Sequence, residues 1–168
     1  RPIRPVPVSA AMTSASRPRT ATPVPAIATA GPRGSRPTAE AVAVVGTRSP
    51  TLFGERVVAG VVDSAAAQGV GIVSGLARGI DSMAHRRALE AGTATWAILG
   101  GGVDQPTPSE NLAVADEILG AGGGLLSEQP PGTEPNAQRL VARNRLQAAA
   151  STQVVIAQCG IPSGTLHT

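Results

Sequence analysis

From residue 41 onward, short apolar runs alternate with segments of helical spacing. Residues 41–46 form a continuous apolar run closed by Gly46, the pattern of a strand buried on both faces. After a loop, Phe53, Val57, Val61 and Ala65 fall on one helical stripe with Val58 and Val62 beside it, and Gly69 ends the segment. Residues 70–73 predict a second strand. Ile80, Met83, Ala84, Ala88 and Ala91 then line a second helix that stops at Gly92. Residues 93–99 predict a third strand, followed by three glycines at 100–102. Ser109 is placed to cap a third helix whose Leu112, Ala115 and Leu119 face inward. Residues 125–127 read as a short fourth strand and 138–150 as a fourth helix after a Pro/Gly loop. Residues 154–157 read as a fifth strand.

This order predicts an α/β fold: an open, doubly wound parallel sheet of about five strands with helices on both faces. Ligands of such sheets bind beyond the carboxyl ends of the strands, near the point where strand order reverses. The turns at Gly46, Ser74-Gly75, Gly100 to Gly102 and Ser163-Gly164 share that edge.

Residues 1–40 read differently. They hold eight of the 15 prolines with no helical or strand periodicity, and are expected to be a disordered tail or linker. The domain is expected to occupy residues 41–168. Charge divides the same way. The first 40 residues carry six arginines against one acid, whereas residues 41–168 carry eight arginines against ten acids. The net charge of +3 therefore belongs to the tail, and any polyanion must meet the domain through a local cluster.

Composition excludes several chemistries. Phe53 and Trp96 are the only large aromatics and there is no tyrosine, so binding dominated by aromatic base-stacking is disfavoured. Cys159 is the only cysteine; it closes an apolar run and is expected to be a small core residue, with no intrachain disulfide. The two histidines, His85 and His167, do not suggest a metal site. The sequence has neither a membrane-spanning run nor a signal-peptide core, so a cytoplasmic location is expected. With no lysine there is no P-loop, and the dinucleotide fingerprint is broken at Gly46-Thr47-Arg48, so no cofactor is expected. Ser74, Asp81 and His85 invite a hydrolytic triad, but the nucleophile-elbow motif is absent. Asp81 is expected instead to charge the start of its helix, and His85 to bond or pack locally.

Two features point to an anion. The turn from Ser74 to Gly79 is bracketed by glycines, carries Arg78 and opens into a helix. That is the geometry of either a bare strand-to-helix connection or an anion site at a helix N-terminus. Arg143-Asn144-Arg145 is the densest polar cluster of the domain, and Arg48 follows the first strand on the same edge.

These segments, in order, resemble the DNA-processing protein A family (DprA, also called Smf). The resemblance is carried by Val44-Val45-Gly46-Thr47-Arg48-Ser49, Gly54, residues 72–81 with Ala84-His85, and Leu99-Gly100-Gly101-Gly102-Val103-Asp104. Asn111, Leu126-Ser127-Glu128, Arg143-Asn144-Arg145 and Ser163-Gly164-Thr165-Leu166 complete it. It implies a Rossmann-like fold and a non-enzymatic protein that binds single-stranded DNA, forms a homodimer and passes strands to the recombinase RecA in natural transformation. The residues implied to face phosphates are Gly46, Thr47, Arg48, Ser74, Gly75, Arg78, Gly79, Arg143, Asn144, Arg145, Ser163, Gly164 and Thr165. Backbone-directed contacts of this kind tolerate any base sequence.

The chain departs from the family pattern at Thr107-Pro108, where the family has Tyr-Pro. It departs also at Leu140, in a region where the family has an aromatic, and at His167 in the last motif. Relative to the family it is expected to be truncated before the last strand and helix and to lack the N-terminal helical domain. Two other readings follow from the residues. One is a phosphoribohydrolase acting on nucleoside monophosphates, like the cytokinin-activating LOG proteins, though no glutamate follows Pro162-Ser163-Gly164-Thr165. The other is an inactive fragment.

Overall fold

The computed structural model describes residues 27–31, 37 and 40–160. The strands are β1 (Ala28–Ala30), β2 (Ala41–Gly46), β3 (Gly71–Ser74), β4 (Thr95–Leu99), β5 (Gly124–Ser127) and β6 (Gln153–Gln158). The helices are α1 (Leu52–Ala67), α2 (Ile80–Glu90), α3 (Leu112–Gly120) and α4 (Ala137–Ala149). The sheet order is β1-β5-β4-β3-β2-β6.

Five strands are parallel, as the alternating pattern requires, and β1 adds an antiparallel edge with Ala28 opposite Ser127. The sheet is therefore mixed and has six strands, not five parallel ones. β1 lies in the segment expected to be a tail. Three small or β-branched residues between prolines carry little periodicity, so backbone pairing to β5 rather than side-chain pattern defines this strand. Its Ala30 is buried in the core.

Alternation along the strands sends side chains to two layers. Val44, Ile72 and Ala157 pack with Val58 and Val62 of α1 and with Ile80, Ala84 and Ala88 of α2. Ala97, Leu99 and Leu125 pack with Val114, Ala115 and Ile118 of α3. Ala41, Ala43, Val73, Trp96, Ile98 and Leu126 face the other way, toward Leu146 near the end of α4. Three helices thus cover one face and α4 the other. The chain runs β2 to β5 in one direction across the sheet, and α4 carries it back to place β6 on the far side of β2. The reversal of strand order falls between β2 and β6, where Gly46 and Gln158 end the two strands.

Two helices are rotated from expectation. The buried line of α1 is Gly54, Val58, Val62 and Ala65, while Phe53, in the first turn, is 69% exposed. Ser109 begins a short 3₁₀ turn and makes no side-chain cap; α3 starts at Leu112 and buries Val114, Ala115 and Ile118. Cys159, just after β6, is half-buried rather than a core residue. Among the described residues no helix is long and apolar enough to cross a membrane.

Candidate functional site

The carboxyl edge of the sheet is built from close backbone approaches. A Cβ on Gly46 would lie 2.6 Å from Ile80 Cγ1 and 2.7 Å from the Gln158 carbonyl oxygen, so only glycine fits. The Thr47 amide donates to the Gln158 carbonyl at 2.7 Å, and the Gln158 side chain accepts from the Thr51 amide at 3.0 Å. The turn after β2 is thereby fastened across the point of strand reversal. The Ser74 to Gly79 turn abuts it: the Ile80 amide donates to the Thr47 carbonyl at 3.1 Å.

Within that second turn, Gly79 has φ +74° and Leu76 has φ +61°. A left-handed leucine is costly, by about 1 kcal/mol or more. It is held because its side chain is buried and its carbonyl accepts from Asn111 Nδ2 at 2.8 Å.

The turn does gather backbone donors around an anion, but the anion is internal. The carboxylate of Asp81 accepts from the Gly75 amide at 3.2 Å, and the nearby amides of Ala77 and Gly46 also favour its charge. Burial pushes the Asp81 carboxyl up from its ordinary range, against the pull of Arg143 and of those amides. Arg143 extends from α4 on the opposite face. Its Nη1 donates to the Ile98 carbonyl at 2.6 Å, its Nε to Leu140 at 3.3 Å, and its Nη2 lies 3.7 Å from Asp81. Burial pulls Arg143 down, Asp81 pushes it up, and nearby Arg48 pulls it down. Gln147, oriented to satisfy its neighbours, accepts from Arg143 Nη1 at 3.1 Å and from the Gly75 amide at 3.0 Å. A Cβ on Gly75 would stand 1.7 Å from Arg143 Nη1, so glycine at 75 is what admits the guanidinium.

The expected phosphate-facing set therefore divides. Ser74 is fully buried and its hydroxyl donates to the Val44 carbonyl at 2.6 Å, so it points inward. Gly75, Arg143 and Asn144 are buried as well, and the Arg143 guanidinium is committed to Ile98, Gln147 and Asp81. Arg143 and Asn144 lie in the second turn of α4 and Arg145 beyond it, so these arginines stand clear of the positive end of the helix dipole. Arg48, Arg78 and Arg145 are exposed. Arg78 is paired with Glu110 and Arg145 with Glu128, whereas Arg48 has no ion-pair partner among the described residues. Thr47 and Gly79 are half-buried between the two turns. Ser163, Gly164 and Thr165 lie outside the described residues.

Sequence reasoning missed three contributors: Asp81 as the internal anion, Gln147 as its neighbour, and Asn111 as the anchor of Leu76. Asp81 and Gly75 already stood in one motif, and a carboxylate two residues into a helix beside a glycine turn was the signal available. His85, one turn further along α2, is fully buried with Nδ1 2.7 Å from Thr95 Oγ1. Thr95 uses its single hydroxyl proton on the Ile72 carbonyl at 3.0 Å, so His85 donates from Nδ1. It is a core histidine and not part of a triad. A groove of about 550 Å³ lies at the other end of the sheet, between α1 and the beginnings of β2 and β6, away from these turns.

The fold and the edge together define a Rossmann-like α/β protein with ordered, arginine-bearing turns at its point of strand reversal. The chain belongs to the DNA recombination-mediator protein A family, whose family model matches residues 16–168. It is 43% identical over 128 residues to a putative DNA processing protein DprA of Mycobacterium tuberculosis, covering 76% of this chain and 33% of that protein. It is 39% identical over 127 residues to DNA processing protein DprA of Bacillus subtilis, covering 76% and 42%. The chain thus spans between a third and a half of the length of these relatives. The X-ray structure of DNA processing protein A from Streptococcus pneumoniae matches with TM-score 0.75 at 35% identity, covering 85% of this chain and 50% of that one. The Helicobacter pylori protein, solved for its single-stranded DNA binding mode, matches with TM-score 0.77 at 30% identity, covering 93% and 73%.

Proposed function

We propose that this chain binds single-stranded DNA through its phosphate backbone and serves in DNA processing for recombination. The observation that carries this reading is Arg48: exposed, without an ion-pair partner among the described residues, on a turn fastened at the point of strand reversal. An uncommitted guanidinium on a rigid turn offers a donor fork suited to phosphate. Exposed Arg78 and Arg145 extend the cationic line, once a phosphate competes with Glu110 and Glu128. Ser163, Gly164 and Thr165 belong to the same proposed set. The single-stranded DNA binding of the H. pylori relative supports the ligand class. The family's description as a recombination mediator supports hand-over to RecA, with homodimer formation and a cytoplasmic setting as parts of the same proposal. No catalytic step is assigned.

Fluorescence anisotropy with a labelled oligothymidylate, competed by unlabelled single-stranded or duplex DNA, tests the reading. Single-stranded competitor is expected to displace the probe at lower concentration than duplex, without sequence preference. Equal displacement by both, or an absence of binding at low salt, would contradict it.

A further inference from the structure

A closely bonded polar cluster lies not on the surface of the edge but beneath it. Asp81 accepts the Gly75 amide of one turn, and its charge is favoured by the amides of Ala77 in that turn and of Gly46 at the start of the other. Arg143 reaches it through the space left by Gly75, and Gln147 joins the Gly75 amide to the same guanidinium. The side chains of Asp81 and Arg143 are only 6% and 9% exposed, so neither is free to meet a ligand. A buried pair of this kind contributes little net stability, because desolvation offsets its attraction. What it does supply is geometry, since one carboxylate holds the Gly75 amide by a hydrogen bond and draws on the amides of Ala77 and Gly46 beside it.

We propose that Asp81 is the internal anion that sets the spacing of the two DNA-facing turns, and that Arg143 is a positioning residue acting through Asp81 rather than a phosphate contact. This rests on the reading of the edge as a nucleic-acid site. The two roles for Arg143 predict opposite signs for a change at Asp81. If Arg143 touches phosphate, removing the neighbouring carboxylate frees a cation and removes a repulsive charge, and binding tightens. If Asp81 positions the turns, removing its charge loosens both turns, and binding weakens even though the site has become more positive.

The experiment measures oligothymidylate affinity of the full chain and of Asp81→Asn, Arg143→Gln and the double variant, with thermal unfolding of each recorded in parallel. Each single variant is expected to bind about tenfold more weakly, the loss of one charge-assisted hydrogen-bonded group. The double variant should be no weaker than the worse single one. Tighter or unchanged binding by Asp81→Asn, or additive losses in the double variant, overturns the proposal.

Amide exchange of the wild-type chain keeps the question open to refutation should a variant fail to fold. The amides of Gly46, Gly75 and Ala77 are expected to be protected in the free chain and to stay protected when oligothymidylate is added. Rapid exchange in the free chain, or loss of protection on binding, contradicts the role of Asp81. A wild-type chain that does not bind the probe fails the DNA reading alone, and the free-chain amides still decide whether Asp81 holds the turns.

Discussion

The amide of Ile80 donates to the carbonyl of Thr47 across 3.1 Å, joining the first residue of α2 to the turn after β2. Gly79, just before it, has φ +74° and ψ −126°, and a Cβ there would lie 2.4 Å from the same Thr47 oxygen. Conformation and space both demand glycine.

Gly79→Ala is therefore expected to cost about 2–4 kcal/mol, the sum of a disallowed backbone and an overlap with rigid main chain. Urea unfolding of the variant beside the wild type measures it. A loss under about 0.5 kcal/mol, the scale of an ordinary surface change, would show that the two turns are not in contact.

Gly75→Ala probes a different neighbour. Its methyl would overlap the Arg143 guanidinium, not backbone. Arg143→Ala removes that clash while leaving Asp81 without its cation. The two substitutions share one cavity and are expected to be non-additive: the double variant loses less stability than the sum of the singles. Additive losses in a urea-unfolding cycle would place the Arg143 side chain elsewhere.

The buried His85 makes stability depend on acid. Burial first, and then the positive charge of Arg143, pull its pKa from 6.5 to about 3. Between those values the unfolded chain holds a proton that the folded chain does not. Stability therefore rises with pH through this window and falls on acidification. From pH 7 to pH 5 the loss from this one group is about 2 kcal/mol. Asp81 works in the opposite sense: its pKa is raised in the fold, so the folded chain takes that proton first and gains stability on acidification above the unfolded value of 3.8. The difference between wild type and His85→Asn isolates the histidine, because asparagine keeps a donor toward Thr95 and does not titrate. A wild-type-minus-variant stability that is flat from pH 7 to pH 5 would mean that His85 is hydrated.

Arg78 and Glu110 form an exposed pair, with side chains 63% and 51% accessible. Such a pair contributes about 0–1 kcal/mol to folding, so Glu110→Gln should leave the unfolding midpoint nearly unchanged. In the proposed function Glu110 competes with phosphate for Arg78. The substitution is expected to tighten oligothymidylate binding a few-fold at low salt and less at high salt. Weaker binding would indicate that the pair orders the turn instead.

Much of the architecture was legible because the strands and helices bury opposite patterns. Runs such as Val42 to Val45 and Ile72-Val73 are apolar on consecutive residues, which only a doubly covered sheet tolerates. β1 was not legible, since Ala28-Thr29-Ala30 has no alternation to read and pairs through its backbone. The rotation of α1 escaped for a related reason: Val57, Val58, Val61 and Val62 offer two adjacent stripes, and only packing against the sheet and α2 chooses between them. At the candidate site the glycines and Arg48 could be placed on the carboxyl edge from sequence. The direction of Arg143 could not. An arginine on a helix reads as a solvent or ligand contact, and its turn inward depends on the missing side chain of Gly75, 68 positions earlier.

The central claim is that exposed cations at the point of strand reversal hold a DNA backbone, with Arg48 as the uncommitted one. The salt dependence of oligothymidylate affinity tests it most directly, comparing wild type with Arg48→Gln. The wild-type association constant should fall linearly with salt on a log–log plot, and the variant should bind more weakly with a slope shallower by about 0.7, the signature of one lost phosphate contact on a single strand. Identical slopes and affinities for the two proteins would contradict the account.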